Sequence, residues 1–285
     1  MKLRNYIIAA AAMLMLAACS QPQGKKVAVV YYSKTGNTQA VAEAIAETLN
    51  SLTDQKDANL FCAELVSLTP VNPYPEDYQA TIEESRDECL NDLGRELTNA
   101  ALKDLDKYDV IFLGYPVWFG TYAQPIATVL ATQDFKGKKV VPFCTFGSGG
   151  LESSVKNIQE KLPDAEILPG YGVRQARLKA APAEVERFLM NGGFLPGEVA
   201  KLPDFSGTRT VTENEAAIFD AAVGDYPMIH AKPVEVASRP VPDGTEYLFT
   251  ARDLPRDGGE TLGNELKVYV LAEEGQDPVF TQVVH

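Results

Sequence analysis

Histidine is nearly missing from this chain: His230 and His285 are the only two in 285 residues. Histidine-based nucleophilic catalysis and histidine-rich metal centres therefore lose their usual side chain. The four cysteines, at 19, 62, 89 and 144, form no Cys-x-x-Cys pair, which removes the common zinc and dithiol spacings. Positive charge is also short. Lys and Arg total 26 against 39 Asp and Glu, a formal charge of −13, so nucleic acid is not an expected partner. The apolar run Val27–Tyr32 lacks both common nucleotide signatures after it. Gly36 is followed by Asn37 instead of Lys and Ser or Thr, and it stands alone where a dinucleotide fingerprint needs three glycines.

That run leads into Ser33-Lys34-Thr35-Gly36-Asn37-Thr38, a hydroxyl-rich turn with one glycine. The run itself has the continuous apolar character of a strand buried on both faces. Beyond the turn Val41, Ile45 and Leu49 recur every four residues and share one helical face. A turn between a buried strand and a helix start places free amides where an anion can meet them, and glycine lets the backbone approach closely. Hydroxyls of Ser33, Thr35 and Thr38 with those amides can satisfy a phosphate dianion without arginine. The expectation is a phosphate-bearing cofactor with no metal requirement.

Ser33-x-Thr35-Gly36-Asn37-Thr38 after a first strand resembles the phosphate loop of flavodoxin-like proteins, and two later segments extend the resemblance. Tyr108–Gly114 reads as a strand running into Pro116-Val117-Trp118-Phe119-Gly120, and Lys139–Thr145 as a strand running into Phe146-Gly147-Ser148-Gly149. The resemblance implies FMN as cofactor. Ser33–Thr38 would hold its phosphate, Pro116–Gly120 would cover the isoalloxazine ring with Trp118 as first aromatic contact, and Thr145–Gly149 would form the second flavin-facing loop. Amides near Gly120 and Gly147–Gly149 would reach N5 and the pyrimidine edge. The resemblance further implies an electron carrier or a flavin-dependent reductase, with a redox protein or small molecule as acceptor.

The implied fold is a doubly wound α/β domain with a five-stranded parallel sheet in order 2-1-3-4-5 over residues 25–195. Strands two and five fall at Leu60–Leu65 and Ala165–Leu168, and helices near Gln124–Leu130, Leu151–Lys161 and Ala183–Asn191. Cys62 and Cys144 fall in strands as small apolar residues. Between strands two and three, Pro70–Leu105 is long for one crossover. Its proline-rich start suggests an extended entry and Asp77–Cys89 an extra acidic helix. Tyr74 and Tyr78 could reach the flavin edge from this insertion, although solvent-facing packing is the expectation.

At the amino terminus Lys2 and Arg4 precede an apolar stretch, Tyr6–Ala18, too short to span a bilayer. Leu16-Ala17-Ala18-Cys19 resembles the bacterial lipobox, so 1–19 reads as a signal peptide leaving Cys19 as the lipidated first residue. Acyl chains stabilise the bound state by ~0.8 kcal/mol per buried methylene, enough for a stable anchor. The expectation is a bacterial envelope protein on a short Ser20–Gly24 linker. Ser20 leans towards the outer membrane, facing the periplasm.

After the Pro- and Gly-containing stretch Leu195–Gly207 the pattern changes. Thr212-Glu213-Asn214-Glu215 has capping-box spacing and opens a helix through Val223. Strand-like runs come next at Pro233–Ser238, Glu246–Ala251, Glu265–Leu271 and Val279–Val284. This order over 208–285 resembles the cystatin fold, a small α+β domain, with Val236–Tyr247 in place of its first hairpin. Arg239 stands near the place of that hairpin's glutamine, so partner docking or a structural role is expected over protease inhibition. A flavin-free docking protein is the alternative.

Overall fold

The computed structural model describes residues 25–51, 61–224, 226–227, 229–242, 244–255 and 263–284. The expected signal peptide, Cys19 and the Ser20–Gly24 linker lie outside them, as do Leu60 and Asp243. The described residues form two compact units, 25–146 with 151–199, and 147–150 with 200–284.

In the first unit the parallel sheet forms as expected. β1 (Lys25–Tyr31) lies between β2 (Phe61–Ser67) and β3 (Val110–Trp118), and β3 pairs on its other side with β5 (Lys139–Phe146). The fifth position differs from the expectation. It holds two short pieces, β6 (Glu166–Ile167) and β7 (Tyr171–Arg174), each parallel to β5. Leu168-Pro169-Gly170 separates them, and proline offers no amide to the ladder.

Strand alternation explains why β1 is apolar throughout. Val27, Val29 and Tyr31 pack with Val41, Ile45 and Leu49 of α1 (Asn37–Asn50) and with Val185 and Leu189. Ala28, Val30 and Tyr32 pack on the opposite face with Ile126, Val129 and Ile158. The first two of those belong to α3 (Pro125–Thr132), Ile158 to α4 (Leu151–Lys161), and Val185 and Leu189 to α5 (Ala181–Asn191). Both sheet faces are therefore covered, the arrangement that all-apolar parallel strands require.

The insertion folds against the second of these faces. Its helix α2 (Tyr78–Asn91) starts at Asp77, whose carboxylate accepts from the Ala80 amide at 2.8 Å. Leu102, Leu105 and Tyr108 then enter the core. Tyr78 faces solvent at 77% exposure, but Tyr74 is 4% exposed, so the expectation of solvent-facing packing fails for it. Cys144 is buried as expected, whereas Cys62 is only half-buried near the amino end of edge strand β2.

In the second unit α6 (Glu213–Val223) opens with both capping-box bonds between Thr212 and Glu215. Arg209 hydrogen-bonds the Glu215 carboxylate, at 2.7 Å to one oxygen, and holds its pKa down to about 2. The antiparallel sheet beyond it has the order β12-β11-β10-β9-β8, with β9 Ala231–Val241, β10 Gly244–Asp253, β11 Glu265–Glu273 and β12 Val279–Val284. β8 (Arg209–Thr210) is too short to be visible in the sequence pattern. Phe219 of α6 is buried among Val236, Phe249, Val268 and Phe280. Arg239 is an internal tie: it pairs with Glu246 across the β9–β10 hairpin at 2.6 Å and lies over the Phe205 ring at 4.4 Å.

Candidate cofactor site

The turn after β1 is built as an anion cradle. Gly36 precedes α1 with φ +87°, a left-handed conformation that side-chain-bearing residues adopt at a cost. No side chain caps the first amides of α1, and no acidic residue stands in its first turn. Those amides and the positive end of the helix dipole are what an anion uses. Ser33 adds a sharper signal. Its Oγ is fully buried with no hydrogen-bond partner, a costly condition that a ligand oxygen would relieve. Thr35 is exposed, and Lys34 and Asn37 are half-buried around the same turn.

Thr38 has a different position from the one the motif suggested. It is 1% exposed, and its Oγ1 lies 2.8 Å from Oγ1 of Thr145, which is also buried. This bond ties the start of α1 to the end of β5. Two hydroxyls carry two protons and the mutual bond uses one, so the pair keeps one proton to donate elsewhere.

The expected loop at Pro116–Gly120 is mostly strand. Pro116 pairs with Thr145, and Val117 and Trp118 turn back through a hairpin onto β4 (Thr121–Tyr122). Only Phe119 and Gly120 form the turn, with φ of 50° and 78°. Two positive φ values in a two-residue connection are what a type I′ turn needs, and glycine suits it where phenylalanine does not. Ser153 donates to the Gly120 carbonyl at 2.7 Å and pins the turn. Phe119 is 47% exposed, while Trp118 is half-buried and packed against the core.

The Phe146 side chain is 6% exposed and belongs to the core, because it alternates inward with Cys144 on β5. Gly147, Ser148 and Gly149 group with the second unit, where the Val283 amide donates to the Ser148 carbonyl at 2.7 Å. The first unit itself supplies Ser33–Thr38, Pro116–Gly120 and Thr145, at the carboxyl ends of the neighbouring strands β1, β3 and β5. Ligands of doubly wound sheets bind at such ends.

Beside this site stands a cluster that motif reading missed. Trp118 meets Tyr32 and Tyr74 edge-on, with centroids 6.0 and 4.9 Å away. Tyr74 donates to Glu88 at 2.5 Å, and burial raises the pKa of its phenol, as it does for Tyr32, so both stay protonated. Arg95, 8% exposed, lies 3.7 Å from the Tyr74 ring centroid and pairs with Glu84 and Glu88. Glu84 and Glu88, at i and i+4, repel each other on the helix and Arg95 offsets that repulsion, but the spacing alone does not single them out, since Glu43 with Glu47 and Glu83 with Asp87 share it. Among the described residues no group of His, Cys, Asp or Glu could hold a metal ion.

The hydroxyls and uncapped amides fit a phosphate monoester, and the aromatic surface at Trp118 fits a planar ring. No curated protein matches the chain. Solved structures similar to it include a protein of Bacteroides eggerthii described as a flavoprotein, 24% identical over 58% of this chain and 96% of its own, with TM-score 0.49. A second from Bacteroides uniformis is 26% identical over 57% of this chain and 99% of its own, with TM-score 0.47. A flavoprotein of Lactobacillus acidophilus in complex with FMN is 25% identical over 52% and 93%, with TM-score 0.41. The flavodoxin family model matches residues 26–185, more than half of the 285 residues. With the parallel sheet in the order β2-β1-β3-β5-β6, this match shows that the chain belongs to the flavodoxin family.

Proposed function

We propose that this protein is an FMN-dependent electron carrier or reductase, tethered by a lipid on Cys19 in the bacterial envelope. The buried, unpartnered Ser33 Oγ beside the uncapped start of α1 carries the cofactor reading. FMN, when bound, supplies exchange of one or two electrons between donors and acceptors. Ser33, Thr35 and the amides after Gly36 hold the phosphate, and one proton of the Thr38–Thr145 pair adds to them. Trp118 would offer aromatic surface to the ring, and the Phe119–Gly120 turn its peptide groups. The lipobox-like Leu16–Cys19 supports the tether, and Ser20 supports the outer membrane, facing the periplasm. Acceptors would be a redox protein or a small molecule, and the second unit offers a surface for a protein partner.

Absorbance and fluorescence titration of the detergent-solubilised protein with FMN tests this reading. Saturable binding with quenched flavin emission, weakened by Ser33→Ala and Thr35→Val, is expected. Protein that stays colourless at millimolar FMN would overturn it. Release of the protein from outer-membrane fractions by Cys19→Ala tests the tether, and unchanged membrane fractionation of that variant would rule it out.

A further inference from the structure

We propose that Tyr74 is a positioning residue for Trp118, so that the Pro70–Leu105 insertion sets how tightly, and at what potential, the flavin ring is held. The inference rests on the FMN reading above. Trp118 has two aromatic neighbours of different origin. Tyr32 directly precedes Ser33 of the phosphate cradle, while Tyr74 comes from the insertion. Trp118 is thus braced at the last residue of β3 by two tyrosines that also touch each other, with centroids 6.1 Å apart, next to the strained Phe119–Gly120 turn.

Tyr74 is itself locked. Arg95 stacks on its ring, its hydroxyl donates to Glu88, and Glu88 also binds Arg95 at 3.1 Å. Arg95 is fixed further by its Nε bond to the Asn72 carbonyl at 2.8 Å and by its pair with Glu84. A planar guanidinium used on both its edges and its face holds a ring in one orientation, which a lysine could not do. Tyr74 also touches Tyr32 in the core on this sheet face and the Thr128 hydroxyl donates to the Arg95 carbonyl at 2.6 Å, so the lock is anchored to the fold, and its reach into the site is the orientation of the Tyr74 ring against Trp118. Aromatic surface that is already oriented binds a planar ligand with less ordering cost than a mobile side chain.

The test is a double-mutant cycle with Tyr74→Leu, Trp118→Leu and their combination in the full-length protein, reading FMN Kd and the first reduction potential. Tyr74→Leu is expected to raise Kd about tenfold and shift the potential, the size of a lost aromatic brace. In the Trp118→Leu background the same change should alter neither by more than about twofold, because Tyr74 acts through Trp118. Tyr74→Phe, which keeps the ring, should restore most of the affinity. Trp118 is the only tryptophan, so its time-resolved anisotropy in FMN-free protein reports the brace directly, and Tyr74→Leu should add nanosecond motion. If Tyr74→Leu does not fold, Arg95→Lys replaces it with the same expected pattern at smaller size. Additive losses in the cycle, or a Tyr74→Leu protein with unchanged Kd and potential, overturn the inference alone. Failure of the unmodified protein to bind FMN overturns the cofactor reading and this inference together.

Discussion

Replacing Ser33 by alanine should move stability and affinity in opposite directions. The Ser33 hydroxyl is buried without a partner, and such a group costs about 1–3 kcal/mol in desolvation. Alanine removes the hydroxyl and keeps Cβ, so the FMN-free protein should gain about 1 kcal/mol after allowing for the small void left behind. For a unit of this size that is a rise of roughly 2–4 °C in Tm. With FMN the sign reverses. A hydrogen bond to a charged phosphate contributes about 1.5–3 kcal/mol, so Kd should rise about 10- to 150-fold. At FMN one hundred times the unmodified protein's Kd, binding stabilises that protein by about 2.7 kcal/mol. A variant with thirtyfold weaker binding gains only about 0.9 kcal/mol at the same concentration. The two melting curves therefore cross as FMN is added, with the variant higher without cofactor and lower with it. Differential scanning calorimetry with and without FMN reads this directly. A variant that melts lower without FMN and binds it within twofold of normal would refute the reasoning, because the hydroxyl would then serve the fold and not a ligand.

The Phe119–Gly120 turn should respond to its strain: Phe119→Asn is expected to stabilise the FMN-free protein by about 1 kcal/mol in urea unfolding, since asparagine tolerates positive φ, and Gly120→Ala to destabilise it by a similar amount. Thr212→Ala should cost the second unit about 1 kcal/mol by removing the capping box, measurable as a lower transition for that unit. Glu215 has a folded pKa of about 2, below its ordinary value of 4.5, so its stabilising contribution is complete above about pH 4.5 and is lost as pH falls towards 2; Glu215→Gln should flatten that part of the acid-unfolding profile. Burial pushes the Cys89 thiol up to about 11 and the Cys144 thiol higher still, so both should resist iodoacetamide at pH 8 until the first unit unfolds. Labelling of either at the rate of a free thiol in native buffer would contradict their burial.

The sheet was legible because its strands are buried on both faces. Val27–Tyr32 and Val110–Leu113 carry no polar residue, and a run of that kind has few other places to go in a folded protein. Turn chemistry made α1 and α6 legible at their starts, one through glycine and hydroxyls, the other through the Thr212–Glu215 capping box. Where side-chain period and backbone pairing disagree, the reading was incomplete: the expected fifth strand does hold β6, but not the second piece beside it. Ala165–Leu168 has apolar character, but Pro169 and Gly170 divide the fifth strand position, and the second piece at Tyr171–Arg174 ends in a buried charged residue that no strand pattern selects. β3 runs past Gly114 to Trp118 because Tyr115 and Pro116 continue to pair with Cys144 and Thr145, a register that only the partner strand determines.

The site divides along the same line. Motif spacing identifies residues by type and cannot say which of their atoms are already used. Ser33, Thr35 and Thr38 looked equivalent as hydroxyl donors, yet Thr38 is committed to Thr145 across 107 positions of sequence, Thr35 faces solvent, and Ser33 alone is buried without a partner. Trp118, the aromatic contact that the motif offers, stands at the end of β3 with part of its surface free, whereas alternation along β5 turns Phe146 into the core. The least legible part is the lock formed by Tyr74, Glu84, Glu88 and Arg95, because its members come from an extended segment, a helix and the stretch after it. Spacing does not announce it either: two carboxylates four residues apart on a helix repel by only about 0.2–0.5 kcal/mol, and Glu43 with Glu47 share that spacing, so Arg95, which pairs its charge with the glutamates and lays its flat face on Tyr74, is found only in the fold. A residue so placed contributes through the geometry of its neighbour, which is why composition and spacing pass over it.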